Sequence, residues 1–242
     1  GLVVSSVVPP VTRHLRRLAA RLVKAGATPL PLLEVTHRIP LGFCLAVPLG
    51  VARVSKNRWL ANLVGTYTWL FRGTPLYVQL LFIYSGVYSL QIVKDTEFLN
   101  LFFREGFNCT ILAFVLNTCA YTTEIIAGSI RATPPGEIEA ARAYGMSDFK
   151  LYWRIILPGS LRRALPALSN EVIFMLHGTS VAFAATVPDL LKVARDVNAE
   201  TFRSFEAFGI AGLLYLSVTF ALVALFRKAE QRWLSYATVR PH

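Results

Sequence analysis

Apolar positions in this chain come in runs of about twenty residues, separated by short segments that are polar and mostly basic. Residues 74–93 (TPLYVQLLFIYSGVYSLQIV) carry no charge, residues 110–130 (TILAFVLNTCAYTTEIIAGSI) carry Glu124, residues 164–186 carry Glu171 and His177, and residues 207–226 carry no charge. At about 1.5 Å rise per residue, each run covers a hydrocarbon core of about 30 Å. Each is expected to be helical, because lipid offers backbone amides no partners. A first span is needed before residue 53, and there the pattern is poor. The apolar stretch 41–52 (LGFCLAVPLGVA) is short, and Pro29, Pro31, Glu34, His37, Arg38 and Pro40 lie upstream. A central charge costs about 2.5–3.5 kcal/mol on insertion scales and an interior proline about 3 kcal/mol. Residues 59–71 (WLANLVGTYTWLF) are apolar, but Arg72-Gly73 separates them from the next run. They read as a helix on the cytoplasmic face with Trp59 and Trp69 at the interface. Residues 187–200 read as a short amphipathic helix on the outer face. The pattern predicts an all-α, polytopic transmembrane helix bundle of about five spans.

Composition agrees: the chain is 54% hydrophobic and 16% charged, below the quarter or so usual for soluble domains. The net charge of +11 would suggest nucleic acid in a soluble protein, but the basic residues cluster between apolar runs, so no nucleic-acid partner is expected. Lys and Arg are dense at Arg53, Lys56 and Arg58, sparse in 94–106, dense in 131–163, balanced by acids in 187–204, and dense again in the tail. The positive-inside rule then places 53–58, 131–163 and the C-terminus in the cytoplasm, and five spans put the N-terminus outside. The cluster Arg13, Arg16, Arg17, Arg21 and Lys24 contradicts that orientation. Either the first span is not a span, or a misread start or frameshift lies upstream of about residue 41. A signal peptide fits less well, because no apolar region directly follows the basic stretch. The division expected is an N-terminal segment of uncertain status (1–40), a transmembrane domain (41–227) and a cytoplasmic tail (228–242).

The segment 137–158 (EIEAARAYGMSDFKLYWRIILP) is charged, yet it reads as helix. Pro134-Pro135-Gly136 breaks the preceding span. Gly145 can take a left-handed position that stops a first short helix, and Ser147 can cap a second one, which ends at Leu157-Pro158. Ala140, Ala141 and Ala143 give this elbow a small-residue surface that another protein can approach closely. Cys44, Cys109 and Cys119 form no CxxC, and the four histidines have no ligand spacing, so no metal site is expected.

Glu139-Ala140-Ala141, Gly145, Ile155 and Leu157-Pro158 resemble the EAA motif of permease subunits of bacterial ABC importers. Phe71-Arg72-Gly73-Thr74-Pro75 and residues 117–124 (NTCAYTTE) resemble the polar amino-acid branch of that family, nearest to permeases for histidine, lysine, arginine and ornithine. The likeness runs from about Gly42 to Trp233; residues 1–41 depart from the family's apolar first span. It implies a type I importer permease fold in the bacterial inner membrane and uptake of basic amino acids. The partners it implies are a cytoplasmic ABC ATPase dimer, a second homologous permease subunit and a periplasmic solute-binding protein. Residues 137–156 would be the coupling helix, with Glu139, Ala140, Ala141, Gly145, Ile155 and Pro158 engaging the ATPase. The chain has no G-x-x-x-x-G-K-[ST] phosphate loop, so it is expected to hold no cofactor, with ATP bound by the partner, and to be no enzyme.

Acids inside spans are functional candidates because lipid exposure is costly. Glu124 shares a helical face with Tyr121 and Asn117; Glu171 follows Asn170 and precedes Thr179. These six residues are candidates for the substrate path, and the alternative for each is a hydrogen bond that ties helices together. A secondary, ion-coupled transporter using Glu124 or Glu171 as proton carrier is the competing reading, against which stands the lack of an inverted repeat. GxSxG and HExxH are absent, which argues against a membrane hydrolase.

Overall fold

The computed structural model describes residues 30–233, and every regular element among them is helical. The basic cluster Arg13 to Lys24 and the last residues of the expected tail, 234–242, lie outside the described residues. Helix α1, Leu30–Arg53, runs through Pro40 and Pro48. The region where the pattern gave no account of a helix is therefore helical from Leu30 on. Pro31 falls in the first turn, where a missing N–H costs nothing. Helix α2, Arg58–Gly73, starts at Asn57, whose side chain accepts the amides of Trp59 and Leu60.

The charge-free run 74–93 is not one rod. Helix α3, Leu76–Leu81, passes into a π-helical turn, Phe82–Val87, and stops at Tyr88. Leu90 is extended, and α4, Gln91–Asp95, and α5, Glu97–Arg104, follow as separate short helices. The Ser89 hydroxyl donates to the Gly86 carbonyl at 2.6 Å and so satisfies an acceptor freed where the helix stops. An uncharged composition signals apolar surroundings, but it does not report such a local break.

Helix α6, Gly106–Arg131, contains the expected 110–130 span. Its first residue must be glycine, because a Cβ there would overlap the Ala185 carbonyl oxygen. Then come α7, Pro135–Ala143, and α8, Asp148–Leu151, a π turn at Tyr152–Ile156, and α9, Leu157–Gly178, which tightens into a 3₁₀ segment, Thr179–Ala185. Pro158 does not end the elbow's second arm, as the sequence pattern suggested. The Leu157 amide bonds back to the Tyr152 carbonyl, five residues away. That shift of the ladder comes just before Pro158, whose missing donor then falls in the opening turn of α9. Helix α10, Leu190–Thr201, falls in the segment expected to be an amphipathic helix, and α11, Ser204–Trp233, is the last described element.

Two of these helices, Gly106–Arg131 and Ser204–Arg232, are each long and apolar enough to cross a membrane. The bent pair Asp148–Ala185 with Leu190–Thr201, at 54°, would make a third. The apolar stretches Leu41–Arg53 and Leu76–Val87 are shorter.

Packing divides the described residues into two compact units. One holds residues 30–37, Leu80–Thr110 and Leu176–Ala221; in it Leu190, Ala194 and Val197 of α10 bury against Ala207 and Ala211 of α11. The other holds Arg38–Gln79, Ile111–Met175 and the residues from Leu222 on. Its core joins Ala46 of α1 and Cys119, Ile126 and Ile130 of α6 to Ala141, Leu151 and Ile156 of the elbow. In this second unit α1 meets α6 along Gly42, Ala46 and Gly50, spaced by four. A Cβ on Gly42 would sit 3.2 Å from the Val115 carbonyl oxygen, and one on Gly50 would sit 2.7 Å from Ile126 Cγ2. This small-residue seam lets two backbones approach closely where no hydrophobic effect drives association.

Candidate functional site

The elbow is built by local chemistry. Its first arm ends in a paired cap: the Gly145 amide donates to the Arg142 carbonyl at 2.9 Å, and the Met146 amide donates to the Ala141 carbonyl at 3.1 Å. Gly145 holds φ +74°, the left-handed conformation expected of it. Met146 packs into the same core as Ala141, the hydrophobic contact that accompanies this cap. Ser147 occupies the cap position of α8, but its hydroxyl makes no capping bond; only its carbonyl accepts, from the Leu151 amide at 2.9 Å.

Burial then sorts the expected elbow residues. Ala141 is buried and Ile155 half-buried against α1 and α6, while Glu139, Ala140, Gly145 and Pro158 are exposed. On the exposed side stand three aromatic rings that the sequence reading did not weigh as a group. Tyr144 is 88% exposed, Phe149 73% and Trp153 59%. Phe149 and Trp153 lie with ring centroids 6.2 Å apart. Burial pushes the Tyr152 hydroxyl above its ordinary pKa. The elbow thus has an inner face cemented to α1 and α6 and an outer face that presents aromatics among Glu137, Glu139, Arg142, Asp148 and Lys150.

Asn117, Tyr121 and Glu124 do share a face of α6, and all three are engaged with α2. Helix α2 ends at Gly73, and its last carbonyls need partners. Thr74 donates to the Leu70 carbonyl at 2.9 Å; Gln79 donates to the Phe71 carbonyl at 2.7 Å; Asn117 donates to Phe71 at 3.3 Å and to Gln79 at 3.1 Å. Tyr121 donates to the Arg72 carbonyl at 3.3 Å, and the Arg72 guanidinium lies over the Tyr121 ring, 5.3 Å from its centroid. Two candidate path residues therefore cap a broken helix. The Tyr67 hydroxyl donates to the Leu116 carbonyl at 2.7 Å. Leu116 lies about 22 Å along the helix axis from Arg131, so α2 packs against the middle of α6.

Glu124 accepts from Arg53 Nε at 2.7 Å and from the Thr68 hydroxyl at 2.7 Å. Its neighbours on the helix, Thr118 and Thr122, are fully buried with hydroxyls that find no partner among the described residues. Glu171 on α9 is only 6% exposed and receives no hydrogen bond among the described residues; the charge that acts on it is that of Arg72. Asn170 is exposed. Thr179, in the other unit, is buried and donates to the Leu176 carbonyl at 2.6 Å. In that unit Asp189 caps α10, accepting the Lys192 amide at 2.8 Å, and burial raises its carboxyl above the usual carboxylate range against the pull of those hydrogen bonds. No group of three or more metal-ligating side chains occurs among the described residues.

Comparison with known proteins places this geometry. A family model described as binding-protein-dependent transport system inner membrane component matches residues 39–235. The histidine/lysine/arginine/ornithine transport system permease protein HisM of Escherichia coli K12 is 63% identical over 198 residues, 82% of this chain and 83% of that protein. The nopaline transport system permease protein NocM of Agrobacterium fabrum is 40% identical over 210 residues, 87% of each chain. Among solved structures, an amino acid ABC transporter with histidines superposes with a TM-score of 0.75 at 27% identity, covering 92% of this chain and 97% of that one. The MetNI methionine ABC transporter, at 15% identity and a TM-score of 0.66 over 85% and 94% of the two chains, shares the fold.

Proposed function

Because the chain belongs to the family of binding-protein-dependent transport system inner membrane components, we propose that it forms the translocation path of an ATP-driven importer for basic amino acids and transmits the work of a separate ATPase to it. The observation that carries this reading is the elbow at 137–156. Its inner face is fused to α1 and α6 through Ala141, Leu151 and Ile156. Its outer face offers Tyr144, Phe149 and Trp153 to a soluble partner. Large exposed aromatics are what a protein interface enriches. A push on that face passes directly into the packed spans.

In this reading the ATPase dimer docks on the elbow in the cytoplasm, a second, homologous permease pairs with this chain, and a periplasmic binding protein delivers the ligand. About five spans cross the bacterial inner membrane with the N-terminus outside and the C-terminus inside. The 63% identity to HisM supports histidine, lysine, arginine and ornithine as ligands. ATP stays on the partner, and the chain itself is no enzyme. The test is uptake of labelled lysine and histidine into proteoliposomes that hold the permease pair and the ATPase. Uptake should require ATP and the binding protein. Uptake driven by a proton gradient without ATP would instead establish the ion-coupled transporter.

A further inference from the structure

The elbow leaves the membrane domain at Thr133 and rejoins it on α9, and one side chain closes its neck. Arg163, on the second turn of α9, donates from Nη2 to the Thr133 hydroxyl at 2.7 Å and to the Ser160 hydroxyl at 3.4 Å. Thr133 is 6% exposed and Ser160 fully buried. Arg163 Nε is buried as well and has no hydrogen-bond partner among the described residues. Ser160 in turn donates to the Ile156 carbonyl at 2.6 Å, at the end of the π turn. The guanidinium lies close over Gly159, where a Cβ would meet Nη1 at 3.3 Å.

A guanidinium here is a poor choice for stability alone. A half-buried cation that faces neutral hydroxyls, with a buried Nε left unpaired among the described residues, retains part of its desolvation cost. What it does supply is a planar, multi-donor fork that fixes two oxygens at once. Those oxygens belong to the root of the elbow and to the first turns of α9.

We propose that Arg163 is a positioning residue for coupling: the elbow's second arm already runs on into α9, and the bond to Thr133 ties the root of the first arm to that same helix, so that both arms move with α9 and their displacement reaches Asn170 and Glu171, about two turns beyond Arg163. The rest of the elbow is held to α1 and α6 by apolar packing, which has no preferred direction. The Thr133 bond is directional. The proposal rests on the coupling role given to the elbow above.

The experiment uses the assembled importer in proteoliposomes and reads two rates: binding-protein-stimulated ATP hydrolysis and lysine uptake. Thr133→Val is isosteric and removes only the hydroxyl; Arg163→Met removes the fork. Each should lower uptake per ATP hydrolysed by about tenfold or more, the fold-change of one lost hydrogen bond to a charged group, while ATP hydrolysis continues. Thr133→Ser should restore the ratio, and Arg163→Lys should restore part of it. An unchanged ratio in Thr133→Val, or uptake and hydrolysis falling together with Thr133→Ser no better, overturns the proposal. If Arg163→Met does not assemble, the Thr133 pair decides. Failure of the wild type to couple uptake to ATP at all would remove the underlying reading instead.

Discussion

Arg53 Nε lies 2.7 Å from Glu124 Oε1, and the same oxygen takes the Thr68 hydroxyl at 2.7 Å. One carboxylate oxygen thus joins the last residue of α1 to the C-terminal halves of α2 and α6. Gly65 leaves the room: a Cβ there would stand 3.1 Å from Arg53 Cζ. The charge of Glu124 is matched inside the protein before any substrate arrives, which favours the tying role weighed for it over the substrate path.

Glu124→Gln should therefore destabilise the permease and leave its ligand preference alone. Losing a part-buried, charge-assisted pair costs about 1.5–3 kcal/mol, read as a lower melting midpoint of the detergent-solubilised complex. The double change Arg53→Gln with Glu124→Gln should lie nearer the wild type than either single change, because neither charge is then stranded. A changed ratio of lysine to histidine uptake in Glu124→Gln would return this residue to the path.

The seam between α1 and α6 predicts a contrast between two glycines. Gly50→Ala drives a methyl into the branched stem of Ile126 and should cost about 1–3 kcal/mol, as overpacked sites do. A Cβ on Gly128 meets nothing within 4 Å, so Gly128→Ala should be neutral or stabilise by up to about 1 kcal/mol through helix propensity. Adding Ile126→Val to Gly50→Ala should recover part of the loss. Thermal unfolding of the purified variants checks all three, and equal midpoints for Gly50→Ala and Gly128→Ala would mean that the seam is not tight.

How much of this was legible in the sequence differs from element to element. The elbow was, because Pro134-Pro135-Gly136 and Gly145 act on their own backbone, and local rules suffice for local breaks. The shared face of Asn117, Tyr121 and Glu124 was also legible, from helical spacing alone. What those three residues touch was not. Arg53 carries the same information as any basic residue beside a span, and it read as a marker of orientation; only the fold brings it to Glu124, 71 residues away. The four-residue spacing of Gly42, Ala46 and Gly50 is local, but it does not say which helix the small residues meet; only the fold brings them to Val115 and Ile126. The continuity of α9 through Pro158 depends on a π turn, and no residue pattern announces a ladder shift.

Gly145 predicts a backbone effect free of packing. It is exposed, and nothing lies within 4 Å of a Cβ placed there, so the cost of any substitution comes from φ +74°. Gly145→Val should cost more than the roughly 1–2 kcal/mol of an ordinary residue in the left-handed region, whereas Asn tolerates that region. Gly145→Val should insert normally yet lose uptake, and Gly145→Asn should keep most of it. Membrane-fraction immunoblots together with lysine uptake separate insertion from function. Normal uptake by Gly145→Val would remove the elbow's cap from the mechanism.

Glu171 remains the acid with charge to offer. It is buried, receives no hydrogen bond among the described residues, and sits one residue after the exposed Asn170. An anion so placed interacts strongly with a passing cation, because little water screens it. Histidine and lysine provide an internal comparison. At pH 8 the histidine side chain is largely neutral, given an ordinary pKa near 6.5, while lysine stays charged. Glu171→Gln should therefore lower lysine uptake at pH 8 by roughly tenfold, about 1.4 kcal/mol, and histidine uptake much less. Both uptakes are measured at pH 8 in the same proteoliposomes with the same binding protein, each normalised to wild type. Equal loss for both ligands would assign Glu171 to the framework of α9 and leave the cation to be read elsewhere.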